Sequence, residues 1–290
     1  PRMNFGYEDL AFWIDLLKRG ATIVTIPEPL VLYRMRENSM ITTAQQHHEE
    51  LMAQIMKDHQ EIMEEKKTMS VCVPVYGMKN ASYFLTRLLD SLKAQTFKDF
   101  EVVVGDNSEN DELLNICQKY ALDGLYIRYF KNPRKKEMAP NSNETIKQSK
   151  GEVIKIIYMD DYLAHTNSLK VLMDNYKGGW LATGCLHDDG SIKNPHFATY
   201  NEDIHTGKNT IGSPSVIMFE NKEPLLFDEK LTWVLDCDLY KRLHKRYGAP
   251  TIVEDLNVIM GLHNGQVTNL LTAEDKAKEC EYLTKKYENK

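Results

Sequence analysis

The chain has 290 residues, 42% of them hydrophobic and 27% charged, with a formal net charge of −6. That is ordinary globular composition with room for one large α/β domain and an addition, and its acidic balance argues against the basic footprint of a nucleic-acid polymerase. No apolar run reaches the roughly 18 residues of a membrane span, no secretory leader is visible, and five scattered cysteines without C-x-x-C spacing predict buried thiols in a reducing, cytoplasmic setting.

Residues 1–40 hold a short pattern. Gly6-Tyr7-Glu8-Asp9 opens a helix with apolar positions 10, 13, 14 and 17, and Gly20 is its stop. A short strand over 23–26 follows. The start at Pro1 suggests a fragment. Residues 42–67 read as one polar helix, a linker. His48-Glu49 begins like a zinc-protease helix, but Met52 stands where the second histidine is needed.

From residue 68 the pattern changes to strand, helix, strand, helix. Residues 69–75 are a β-rich run, and 81–95 are amphipathic with apolar residues at 84, 85, 88, 89 and 92. Strands at 101–104 and 125–130 flank a helix at 109–120, and a basic loop spans 131–136. Asn141 with Glu144 three residues on reads as a capping box for a helix to 150. This alternation predicts parallel βαβ units in a doubly wound sheet. The later half is less regular: a strand near 180–184, a polar loop over 187–205, a strand at 213–219, a helix at 234–246 and a charged helix at 272–287.

The run Glu152 to Tyr162 ends in Asp160-Asp161. Ligands of open α/β sheets gather at the carboxyl ends of strands, and a Mg²⁺-type cation takes one or two carboxylates plus substrate phosphates. Tyr158-Met159-Asp160-Asp161 also spells a polymerase signature, so the tetrapeptide alone chooses no chemistry. An internal repeat adds to the picture. Asp9-Leu10-Ala11-Phe12-Trp13 and Asp236-Cys237-Asp238-Leu239-Tyr240 open helices that continue Leu-Leu-Lys-Arg and Leu-His-Lys-Arg. Each precedes a short strand and a basic or histidine position, Arg36 and His263. The expected organisation is a remnant of a preceding related domain at 1–40, a linker at 41–67 and the main domain at 68–290.

Taken in order, Ser70 to Tyr76, Val102 to Glu109, Asn143, Gly151-Glu152, Asp160-Asp161, Gly212-Ser213-Pro214-Ser215 and Asp236 resemble the inverting family 2 glycosyltransferases of the GT-A fold. The resemblance covers about residues 69–268. It implies an α/β fold of GT-A type, a doubly wound, mostly parallel sheet with a Rossmann-like nucleotide half and an acceptor half. It implies a nucleotide-diphosphate sugar donor, UDP-sugar favoured, held by Pro74, Val75, Tyr76, Asp106, Asn143 and Asp160. Asp161 and His263 would hold Mn²⁺ or Mg²⁺. Asp236 would be the catalytic base, with Ser213, Trp233 and Asp238 on the acceptor side. The implied partners are the donor and a glycan acceptor, with no nucleic acid and no membrane span, at a membrane if the acceptor is carried there. Packing on a preceding domain and self-association both stay open. Gly105, Tyr158, Met159 and Leu235 depart from the family pattern. The other readings are a non-catalytic nucleotide-sugar module and a polymerase.

Overall fold

Two units make up the chain in the computed structural model, residues 1–66 and 67–290. The structure describes residues 67–132 and 138–288, and before them 7–19, 21, 22, 30, 31, 47, 48, 50, 51, 54 and 55. The strand expected at 23–26, Arg36, most of the linker helix and most of the basic loop at 131–136 lie outside the described residues. In the first unit, Glu8–Lys18 (α1) is helical as its periodicity predicts. Its Leu10, Phe12, Trp13, Leu16 and Leu17 are exposed.

The second unit is built on Met69–Val75 (β1), buried at every position. A strand covered on both faces needs apolar residues at odd and even positions alike, and Met-Ser-Val-Cys-Val-Pro-Val supplies them. Phe100–Asp106 (β2) runs parallel on one side and Val153–Ile156 (β4) on the other, with Ile127–Lys131 (β3) parallel outside β2. Ala81–Lys93 (α2), Glu112–Leu122 (α3) and Met138–Lys147 (α4) connect them. The helix α2 buries Phe84, Leu85, Leu88, Leu89 and Leu92, the stripe its spacing predicts.

The remaining elements are Tyr162–Leu163 (β5), Ser168–Asn175 (α5), Trp180–Asp188 (β6), Ile192–His196 (β7), Ile217–Glu220 (β8), Leu235–Tyr247 (α6), Thr251–Gly261 (β9), Val267–Leu270 (α7) and Ala273–Glu288 (α8). The nine-stranded sheet has the order β3-β2-β1-β4-β8-β6-β9-β5, with β7 paired to β6. The β3-β2-β1-β4 half is parallel. Beyond it β8 is antiparallel to β4 and β6, while β6 and β9 are parallel. This is the α/β doubly wound architecture the alternation predicts.

Three local expectations change. The helix expected to be capped by Asn141 begins at Met138, which puts Asn141 inside it. The strand expected from Ser213 starts only at Ile217. Ser213 accepts from Ser215 N and Pro214 takes the first helical position, so Pro214–Val216 is a 3₁₀ turn. The polar loop at 187–205 contains β7.

Candidate active site

The floor of the site is the turn between β4 and β5. Strand β4 ends at Ile156, and Tyr158 to Asp161 turn the chain at the carboxyl end of the parallel half. The two carboxylates then part. Asp160 faces an open cleft of about 420 Å³, where its Oδ2 lies 3.1 Å from His263 Nε2 and 3.5 Å from Gln266 Nε2. Asp161 is buried beneath. It accepts from Gly261 N at 3.0 Å and from Ser213 Oγ at 3.3 Å. Burial, reinforced by the neighbouring Asp160 charge, pushes its carboxyl well above the ordinary range.

The layer behind this turn is polar. Lys155 of β4 is fully buried, and its ammonium donates to the carbonyls of Ser215 and of Ile217. Burial lowers it to about 7 against the pull of Asp161. From α2, Arg87 donates to the carbonyl of Asp160 at 2.6 Å and pairs with Asp188 at 3.0 Å. One turn earlier Phe84 stacks on His263, ring centroids 5.0 Å apart. Gly261 has room for no side chain: a Cβ there would stand 2.3 Å from the Asp160 carbonyl.

Asp236 reaches the same cleft from the first turn of α6. Its Oδ2 accepts from Asn209 Nδ2 at 2.7 Å and its Oδ1 from Cys237 N at 2.7 Å. Burial raises its carboxyl to about 6, with the Cys237 and Asn209 hydrogen bonds acting the other way. The segment before it is clamped from α8. Glu279 accepts from Thr232 N, Trp233 N and Val234 N at 2.8–3.2 Å. Trp233 lines the cleft and Lys276 lies 5.4 Å over its ring.

Several expected residues stand in the cleft wall: Pro74, Tyr76, Asp160, Ser213, Trp233 and Asp236. Others stand behind it. Val75 is buried, and its carbonyl accepts from Asn141 Nδ2 and Asn107 N, both at 3.1 Å. Asp106 is buried with four donors already on it: Ser108 N, Ser108 Oγ, Tyr129 OH and Lys131 Nζ. Burial alone would raise its carboxyl, but these bonds win and hold it below the usual range. Its neighbour Asn107 lines the cleft instead. Asn143 is pinned to the main chain of Phe227 in both directions, while Asn141 lines the cleft. Asp238 is fully buried and turned away, held by Arg242, Lys286 and Tyr287. That arrangement leaves Asp236 as the acid of α6 in the cleft and makes Asp238 the anchor of α8. Asn209, Glu279, Lys155 and Arg87 carried no sequence signal, because each acts through a residue distant in the chain.

Among the described residues no three His, Cys, Asp or Glu side chains converge as a metal cage. Asp160 fits a different type, a divalent site of one or two carboxylates completed by substrate phosphates, and the His263 expected beside it as a ligand bonds to its carboxylate instead. His263 Nδ1 accepts from Gly265 N at 3.1 Å, so its Nε2 carries the hydrogen and donates to Asp160. The imidazole therefore steadies the Asp160 carboxylate in this arrangement. No Lys or Arg is among the described residues that line the cleft.

The family model for glycosyl transferase family 2 matches residues 70–218. A GalNAc(5)-diNAcBac-PP-undecaprenol β-1,3-glucosyltransferase of Campylobacter jejuni is 31% identical over 114 residues, which are 39% of this chain and 35% of that protein. The chain thus spans about a third of the length of this curated relative. Among solved structures, Staphylococcus aureus TarS 1–349 in complex with UDP-GlcNAc aligns with a TM-score of 0.56 at 20% identity. The alignment covers 75% of this chain and 65% of that one. The mannosyltransferase PcManGT of Pyrobaculum calidifontis, in complex with GDP-Man and Mn²⁺, aligns with a TM-score of 0.51 at 13% identity, over 71% and 59%. At these identities the two structures establish a shared fold.

Proposed function

The chain belongs to glycosyl transferase family 2, and from that premise we propose that it transfers a sugar from a nucleotide-diphosphate sugar to an acceptor hydroxyl, with inversion, in glycan assembly. The membership takes Tyr158 to Asp161 out of the polymerase reading. The observation that carries the proposal is the convergence of Asp160 and Asp236, from segments 76 positions apart in the chain, on one cleft without Lys or Arg among its described lining residues.

In this reading Asp236 is the general base. It takes the proton of the acceptor hydroxyl as that oxygen attacks the anomeric carbon. The bond from that carbon to the diphosphate oxygen breaks, and the nucleoside diphosphate leaves on the opposite face. Such a base contributes roughly 10²–10⁴-fold. Asn209 and Cys237 N fix the carboxylate, and burial keeps its affinity for a proton near the working pH. Asp160, steadied by His263, Gln266 and Arg87, would hold Mn²⁺ or Mg²⁺ against the diphosphate. When bound, that ion supplies the positive charge that the cleft lining lacks. This moves the metal-contacting role expected of Asp161 to Asp160, with the buried Asp161 bracing the turn. Asn107 and Asn141, with Pro74 and Tyr76, stand where the nucleotide would lie.

The donor favoured is a UDP-sugar, as in the TarS complex. An acceptor carried on a lipid, as the name of the Campylobacter relative states for that protein, would bring the domain to a membrane surface. No helix among the described residues is long and apolar enough to cross a membrane. The exposed apolar residues of α1 and the repeat shared with the start of α6 support residues 1–40 as the end of a preceding related domain. Calorimetric titration of UDP, GDP and TDP with and without Mn²⁺, together with slow hydrolysis of the matching sugar donors, tests the function. Absence of Mn²⁺-dependent binding to any of the three refutes it.

A further inference from the structure

A second cavity, of about 300 Å³, abuts the cleft. We propose that it receives an uncharged sugar ring, so that the attacked hydroxyl belongs to a neutral glycose and not to a phosphate-bearing polyol. This rests on the transferase reading above and adds the chemical class of the acceptor to it. Ser213, Trp233, Asp236 and Thr268 line both cavities, so the Asp236 carboxylate is reached from either side. The volume stands at the lower end of the roughly 300–1,000 Å³ of small-molecule pockets. That is room for a ring or two, not for a length of polymer.

The lining looks for O–H donors. His187 and His196 both border the cavity. Each commits one ring nitrogen to a main-chain carbonyl: His187 Nδ1 to Asn194 O at 2.8 Å, and His196 Nε2 to Ile211 O at 3.2 Å. In a neutral imidazole the committed nitrogen carries the hydrogen, and the other is an acceptor. Asn209 has both ends of its amide occupied, donating to Asp236 and Gly212 O and accepting from Ile211 N and Gly212 N. The polar groups left for a ligand are thus two imidazole nitrogens and a carboxylate as acceptors, with the Thr268 hydroxyl and the Trp233 indole beside them. Sugar hydroxyls donate to the first three, and the C–H face of a pyranose suits the last.

A phosphate does not suit this lining. No Lys or Arg is among its described residues. Nearby lysines are already engaged: Lys193 with Asp189 at 2.8 Å, Lys208 with Asp203 at 3.6 Å, Lys241 with Glu202 at 3.1 Å, and Lys276, over the Trp233 ring, with the Thr268 carbonyl at 2.7 Å. An anion here would lose water beside the Asp236 carboxylate with no Lys or Arg in the described lining to offset it.

Methionine methyl groups report on the two cavities independently. Met138 and Met159 line the cleft, and Met260 lines the second cavity. The full chain labelled with ¹³C at its methionine methyls, assigned with single Met→Leu variants, is titrated with UDP plus Mn²⁺. It is then titrated with methyl β-D-glucopyranoside, methyl N-acetyl-β-D-glucosaminide and ribitol 5-phosphate. At least one neutral glycoside is expected to shift Met260 saturably while Met138 and Met159 stay in place. Ribitol 5-phosphate is expected to bind there at least tenfold more weakly. His196→Phe should weaken the glycoside at least tenfold and leave the UDP response of Met159 intact, which shows the variant is folded. Tighter binding of ribitol 5-phosphate than of either glycoside overturns the proposal, as does a Met260 signal that neither glycoside moves up to its solubility limit. A UDP titration that leaves Met138 and Met159 still, with Met260 responding to glycoside, removes the transferase reading and leaves the sugar cavity standing.

Discussion

Replacing Asp236 with Asn separates catalysis from stability. As general base, the carboxylate should be worth roughly 10²–10⁴ in turnover, or about 3–5.5 kcal/mol. The same group costs the fold stability. Burial lifts it from an ordinary 3.8 to about 6, and two pH units at about 1.36 kcal/mol each come to about 3 kcal/mol. That figure is an upper bound, because the carboxylate opens on two cavities and water screens it. The sign follows from the direction of the shift. The folded carboxyl keeps its proton to higher pH than the unfolded one, so its contribution to stability is full below about pH 4. It is lost as pH rises to about 6. Asn has no such loss, although its NH₂ must face either Cys237 N–H or Asn209 Nδ2, at about 1–3 kcal/mol. That second cost does not depend on pH. The stability of Asp236→Asn relative to the parent should therefore rise by up to about 2–3 kcal/mol between pH 4 and pH 7.5. Urea unfolding of the full chain at the two pH values measures it, provided the denaturant slopes agree. A stability difference that is flat with pH, or a variant that turns over donor and acceptor at the parental rate, refutes the assignment of Asp236.

Other outcomes follow from the same contacts. The turnover of the parent should rise with pH through about 6, as Asp236 loses its proton, and a pH–rate profile at saturating substrates reads it. Asp160→Asn should weaken Mn²⁺-dependent UDP binding at least tenfold, about 1.4 kcal/mol, with little change in EDTA; calorimetry in both buffers decides. Glu279→Ala removes the acceptor of three main-chain N–H groups before Asp236. It should cost about 1–3 kcal/mol and lower turnover while the UDP dissociation constant holds, and Glu279→Gln should recover part of both. Gly105→Ala places a Cβ 2.2 Å from Thr145 Oγ1 and 2.9 Å from Phe130 Cζ, an overpacking of about 1–3 kcal/mol visible as a lower urea midpoint.

How far the sequence carries depends on the range of the interaction involved. Strands β1 and β2 and helix α2 were legible because burial on two faces or on one stripe writes itself into neighbouring residues. That Asp160 and Asp236 are candidates for one cleft was legible because strand ends and helix starts are local features. Which acid of the pair meets the cleft was not, since that depends on the turn at Tyr158 to Asp161 and on the Gly261 N–H that claims Asp161 from β9. Asn143 and Asn141 show the same limit within a helix. Two positions apart they point roughly 200° apart, so an error of two residues exchanges the cleft for the contact with Phe227. The cap expected of Asn141 failed for a related reason: its amide is taken by the carbonyls of Val75 and Gly105, a pairing no local pattern announces.

The proposed division between donor and acceptor chemistry has the same origin. The segment matched by the family model, 70–218, contains Asp160 and the β1 and β2 ends that line the proposed nucleotide side of the cleft. Asp236, His263 and Glu279 all come later in the chain. Glu279 sits 46 residues beyond Trp233 N, on a helix whose sequence reads only as charged surface. Its carboxylate satisfies three main-chain donors just before α6, and so fixes the position of Asp236, the proposed base. Family members that share the matched strands but differ in this last helix would keep the donor geometry and re-aim the base. On the proposed mechanism, the acceptor is then selected by the part of the chain that the family model does not match.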